Sequence, residues 1–275
     1  MAEWLVEEPQ AIDIEDRIQR LQLRLVGGRV DIVTTDLATA TVEVTDVAGP
    51  PVRISVGDGR LLVAHDDLGR EGVFGWVRNH HRSASVSIAV PVGCEVALTV
   101  MSADAVVAGI HGRVSVRSVS GEIVLDGIDG DVDAESVSGD VEARSLVGRL
   151  SFKTVSGELV LVEARPERVR AHSVSGDVVV DLASGARPHI SINTVSGDAT
   201  VRLPDETGLE VDVASMSGEL SSVFPGLSIE SRPGRRRLTG RLGDGAGVLS
   251  AKTLSGSVAL LSRRRSNGHP IREAS

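Results

Sequence analysis

The sequence predicts an all-β protein wound as a parallel β-solenoid, with a set of less regular strands at its N-terminal end. Three observations carry this. A five-residue phrase recurs seven times, at Ser118–Glu122, Ser136–Asp140, Thr154–Glu158, Ser173–Asp177, Thr194–Asp198, Ser215–Glu219 and Thr253–Ser257, and repetition at a near-constant pitch marks a stacked architecture. Glycines fall every nine residues, at 112, 121, 130, 139, 148 and 157. Aromatic residues make up only 2% of the chain while Val, Ala, Ile and Leu are plentiful, so the interior must be narrow and filled by small branched side chains.

Four segments follow. Residues 1–20 form an N-terminal segment, and residues 21–99 a group of irregular β-strands that cap the solenoid. Residues 100–262 are the solenoid itself, and residues 263–275 a basic tail. In the capping group, Leu21, Leu23 and Leu25 lead through Gly27-Gly28 to Val30 and Ile32, and alternating strands recur at Val42–Val44, Val52–Val56 and Leu61–Val63. Such alternation is the pattern of half-buried strands. The stretch Asp66–Arg82, with His80-His81, reads as an irregular loop, as does Pro233–Gly247, which accounts for the 38-residue gap between the last two motif glycines.

The nine-residue half is the physical unit. With each glycine as position zero, apolar residues occupy positions two, four and seven: Val114, Val116, Val119; Ile123, Leu125, Ile128; Val132, Ala134, Val137; Val141, Ala143, Leu146; Leu150, Phe152, Val155. Side chains alternate across a strand, so positions seven, zero, two and four are expected to point inward together. Positions five and six, such as Asp126-Gly127 and Lys153-Thr154, are left as two-residue corners. An antiparallel meander has the same parity. Its tight hairpins need positive φ from pairs such as Asp-Gly, however, and among these corners only Asp126-Gly127 supplies one. The repeat glycines Gly121, Gly139, Gly157, Gly176, Gly197, Gly218 and Gly256 are expected on the inner face, where a missing Cβ lets backbones approach. The acidic residue after six of these glycines points out; Gly256 is followed by Ser257.

The net charge is −9, but ten of the 29 Lys and Arg residues lie in residues 232–275, beside only Asp244 and Glu273, so residues 1–231 hold 19 basic and 36 acidic residues. An acidic body of this kind repels nucleic acid and anionic membranes, and no nucleic-acid partner is expected. Arg235-Arg236-Arg237 and Arg263-Arg264-Arg265 are read as solvated charge. The start of the chain is acidic where a secretory leader is basic, and its most apolar stretch, Val86–Met101, is broken by Pro91, Gly93 and Glu95. No membrane span is expected, and the expected location is cytoplasmic, with surface association left open. The single cysteine, Cys94, excludes an internal disulfide.

No pattern assembles a reaction centre. Calcium-binding nonapeptide rolls place acids in paired-glycine turns, whereas here a single glycine is followed directly by the acid. His65 and His80-His81 lack zinc-ligand spacing. The serines follow the repeat and none sits in Gly-x-Ser-x-Gly. No glycine cluster opens a helix for phosphate, and Cys94 has nothing nearby to stabilise a thiolate. Neither a catalytic residue nor a cofactor or metal site is assigned.

The Ser-Val-Ser-Gly-Asp/Glu phrase, the upstream Gly27-Gly28 and the strand-Pro-x-Gly-strand element at Val86–Val100 resemble the bacterial DUF4097 family of β-strand repeat proteins, which carries an adhesin label. The resemblance spans about Leu21 to Leu261. It implies an elongated right-handed β-solenoid and no family-wide enzymatic activity. The expected function is a non-enzymatic structural or binding scaffold for a protein or cell-envelope component, with a monomer favoured. The alternatives are a self-assembling filament similar to the bactofilins and a carbohydrate-active β-helix enzyme.

Overall fold

The computed structural model describes residues 2–65 and 82–263, in which every regular element is a β-strand. Strands β1 (Ala2–Val6) and β2 (Gln10–Ile14) precede the long β3 (Arg20–Thr35), followed by β4 (Ala40–Ala48), β5 (Val52–Gly57), β6 (Arg60–His65), β7 (Ser83–Pro91) and β8 (Glu95–Ala108). The motif region supplies β9 (Val114–Ser118), β10 (Ile123–Asp126), β11 (Val132–Ser136), β12 (Val141–Arg144), β13 (Val147–Thr154), β14 (Leu159–Ser173), β15 (Val178–Leu182), β16 (His189–Thr194) and β17 (Ala199–Pro204). The chain closes with β18 (Leu209–Ser215), β19 (Leu220–Ser222), β20 (Leu227–Arg232), β21 (Arg235–Leu242), β22 (Gly247–Thr253) and β23 (Val258–Arg263).

Across the motif region every pairing is parallel, and the partner is almost always one coil away. Val132 lies beside Val114 and Leu150, and Ile123 beside Ala105 and Val141. A meander is thereby excluded. Two ladders result. The first runs through β9, β11, β13, the second half of β14, β16, β22 and β18, and the second through β10, β12, the first half of β14, β15, β17, β23 and β19. Long strands β3 and β8 enter both ladders, one half each. The inward aliphatics of the two ladders meet in one continuous cluster, of which Phe152 is the largest fully buried member. Each fully buried aliphatic contributes roughly 1.5–3 kcal/mol, so a core one side chain thick on each face suffices when it runs the length of the stack.

Positions two and four are buried in both halves, as alternation requires. Position seven splits. Ile128 and Leu146 are 0% exposed, whereas Val119, Val137 and Val155 are 40%, 48% and 50% exposed, so the motif valines face outward, contrary to the expectation from parity. Two kinds of corner cause this. After β10, β12 and the first stretch of β14, a left-handed residue, Gly127, Ser145 or Glu163 with φ of 61°, 52° and 52°, swings the chain so that Ile128, Leu146 and Ala164 turn in. At the motif, the strand continues through the hydroxyl residue at position six, which takes the inward place, and the corner falls on Val-Ser-Gly. Lys153-Thr154 is strand, and the motif glycines sit at the corner rather than mid-strand.

Coil order departs from sequence order at both ends. The last coil, β22–β23, lies between β16–β17 and β18–β19, and β3 lies between the β6/β7 level and β8. Each coil offers the same rows to both neighbours, so the repeat itself does not dictate which coil fills a given slot. Residues 233–247, expected as an irregular loop, contain the whole of β21, which pairs antiparallel with β20 and β18 and covers the first ladder. At the N-terminal end β5 and β1 cover one ladder and β4 and β2 the other, all antiparallel. The His80-His81 stretch lies outside the described residues.

Candidate functional site

The motif corner is built from hydrogen bonds that only its residue types allow. The hydroxyl residues Ser118, Ser136, Thr154, Ser173, Thr194, Ser215 and Thr253 are buried. The amides of Gly139, Gly157, Gly176, Gly218 and Gly256 donate to the hydroxyl three residues earlier at 2.7–2.9 Å, satisfying a backbone donor that would otherwise be stranded at the corner. The glycines then stack. A Cβ on Gly139, Gly157, Gly176 or Gly197 would collide with the carbonyl oxygen of the glycine one coil earlier; one on Gly256 would meet that of Gly197, and one on Gly218 that of Gly256. Gly121 would meet Ala103 and sits at φ 102°. Six of these seven glycines are buried and Gly121 is half-buried. Between them, the middle serines, such as Ser138, Ser156, Ser175 and Ser196, donate to carbonyls of the preceding coil at 3.1–3.3 Å.

Two outward rows emerge from this corner. The position-seven residues form an exposed aliphatic ridge, Val119, Val137, Val155, Val174, Val195, Leu254 and Met216 in stacking order. Three residues on, Glu122, Asp140, Glu158, Asp177, Asp198 and Glu219 line the second ladder, with Asp104 one coil before them and Ser257, after Leu254, standing between Asp198 and Glu219. The aspartates bind across coils: Asp104, Asp140, Asp177 and Asp198 accept the backbone N–H of Glu122, Glu158, Asp198 and Ser257 at 2.7–2.9 Å. Among the described residues none of these seven carboxylates forms a salt bridge. Burial, with Asp140 and Asp177 on either side, pushes the Glu158 carboxyl above its ordinary range. Two residues further along the same face lie the half-buried Val106, Val124, Glu142, Val160 and Val179, in which Glu142 interrupts the valines.

The outer surface of the first ladder differs. There Arg149 pairs with Asp131 at 2.6 Å, Arg117 and Lys153 with Glu135 at 3.3 and 3.4 Å, and Arg237 with Asp212 at 2.7 Å. Hydrogen bonding from these cations holds Asp131, Glu135 and Asp212 below the usual carboxylate range. The second ladder carries ion pairs further along its strands, Arg144 with Glu142 at 2.7 Å and Arg202 with Asp181 at 3.3 Å, so its unpaired acid is confined to the row at the motif corner, beside the aliphatic ridge.

The candidate reactive groups are not brought together. Cys94 is buried, and burial, aided by Glu95, raises its thiol to about 11, which disfavours a thiolate. His65 is buried, its Nδ1 accepts the Val26 amide at 3.2 Å, and burial followed by Arg82 lowers its pKa to about 4. Among the described residues no group of three or more His, Cys, Asp or Glu side chains is arranged to hold a metal ion, and no helix is long and apolar enough to cross a membrane. Sequence parity missed the aliphatic ridge. Its signal was the whole hydroxyl-x-Ser-Gly phrase of every motif copy; a hydroxyl at position six is not enough, since Ser145 holds that position at the other kind of corner.

Parallel coils, a continuous aliphatic core and a repeated corner define an all-β, solenoid-like repeat protein. The chain belongs to the Toastrack DUF4097 family, whose model matches residues 18–261. Among solved structures it is similar to a "putative adhesin" from Parabacteroides distasonis at 14% identity and TM-score 0.53, over 92% of this chain and 96% of that one. It is also similar to a "putative adhesin" from Bacteroides fragilis at 11% identity and TM-score 0.46, over 94% and 98% of the two chains. None of the curated proteins matches the chain.

Proposed function

We propose that the protein is a non-enzymatic binding scaffold, a right-handed solenoid that holds its motif-corner rows rigid for a protein or cell-envelope partner. The observation that carries this is the row of seven unpaired carboxylates running beside an exposed aliphatic ridge. Monomeric proteins seldom leave a contiguous apolar strip uncovered unless something binds it, and stacked repeats suit extended partners. The description of the Parabacteroides distasonis relative as an adhesin agrees with a binding role. A filament grown by end-to-end stacking is disfavoured, because antiparallel strands cover both ladders at the N-terminal end and the first ladder at the other, where the second ends in the three-residue β19. Such blunt edges resist strand addition.

Affinity capture from the native cell tests the reading, comparing the full chain with Val137→Asp/Val174→Asp. Both proteins should melt alike, and a partner that rebinds in purified form should be held by the parent and lost from the variant. Absence of any such partner, or turnover of a substrate from a broad glycan panel, would overturn it.

A further inference from the structure

The ridge and the carboxylate row together specify what can cover them. We infer that the motif corner docks a cationic amphipathic helix of a protein partner, lying along the solenoid axis; this rests on the scaffold reading above and names its occupant. Charge complementarity sets the sign. Asp140, Glu158 and Asp177 have no cationic partner, and their mutual repulsion is felt at Glu158. A row of Lys or Arg would relieve it, whereas the compensated opposite face offers an incoming cation no comparable gain. The aliphatic half of the partner is set by Val137, Val155 and Val174, each about half exposed and only three residues from its carboxylate.

Spacing sets the conformation. Coils repeat about every 4.8 Å along the stack. A helix lying along the axis returns each face about every 5.4 Å, so it loses only about 0.6 Å per turn, a drift that flexible Lys and Arg side chains absorb. An extended strand returns each face about every 6.8 Å and falls out of step within two coils. Seven coils span about 29 Å, the length of a helix of about 20 residues.

The test uses the full chain and three synthetic peptides of about 20 residues: Leu and Lys at helical period, the same composition scrambled, and Leu with Glu at helical period. Binding is read by fluorescence anisotropy across a salt series. The helical Leu/Lys peptide should bind, and the other two should not. Asp140→Asn/Glu158→Gln/Asp177→Asn keeps the side-chain acceptors that cap the next coil; it should weaken binding by about tenfold or more and flatten the salt dependence. Val137→Ser/Val155→Ser/Val174→Ser should weaken it comparably, and Ser151→Ala on the opposite face should change nothing. If either triple variant fails to melt like the parent, the other decides. Equal binding of the scrambled peptide, parental affinity in a folded triple variant, or no binding at all overturns the inference. The scaffold reading falls only if the capture experiment also fails.

Discussion

The Gly157 amide donates to the buried Thr154 hydroxyl at 2.9 Å, and that bond fixes which residue faces the core at the motif corner. Replacing Thr154 with Val keeps the shape and strands the donor. Thr154→Val should cost about 1–3 kcal/mol, measured by denaturant unfolding. Ser156→Ala, which removes an exposed hydroxyl bonded to the Val137 carbonyl, should stay within about 0.5 kcal/mol of the parent.

The same glycine is one of the tight points of the stack. A methyl on Gly157 meets the Gly139 carbonyl, and backbone cannot step aside as a flexible side chain would. Gly157→Ala should destabilise by about 1–3 kcal/mol. Gly93→Ala is the control, because nothing lies within 4 Å of a Cβ there; its melting temperature should match or exceed that of the parent.

Glu158 carries a pH signature. Its folded pKa is raised by burial and by Asp140 and Asp177, so its contribution to stability is fully present below the unfolded value of about 4.3 and is lost as pH rises through the folded one. At neutral pH the ionised group is therefore a net cost. Glu158→Gln should raise the melting temperature at pH 7 to 8, and the gain should vanish at about pH 4. A constant offset across that range would assign the effect to packing instead.

Strand rows were legible in the sequence because alternation leaves no choice: Ile123 and Leu125 had to share one face of their strand, and Val132 and Ala134 one face of theirs. The corners were not. Ile128 and Val137 are both aliphatic at position seven, and apolar identity cannot tell a residue at 0% exposure from one at 48%. The distinction lies in backbone geometry, a left-handed Gly127 or Ser145 in one case and a hydroxyl-capped glycine in the other. The outward carboxylates could be read from the repeat, but the ridge beside them could not, since parity placed the valines inside. The position of the last coil was equally hidden, because Thr253–Ser257 keeps the hydroxyl-x-Ser-Gly corner of every other copy and differs only in ending on Ser257.

That last coil gives the most direct test of the stacked architecture. The Leu254 amide donates to the Val195 carbonyl at 3.2 Å across 59 residues of sequence, and adjacent coils about 4.8 Å apart fall within the disulfide range. In a Cys94→Ser background, Val195→Cys/Leu254→Cys should cross-link almost completely under mild oxidation, while Val195→Cys/Met216→Cys should not. Efficient bridging of the second pair and none of the first would mean that the coils stack in sequence order, contradicting the intercalated stack.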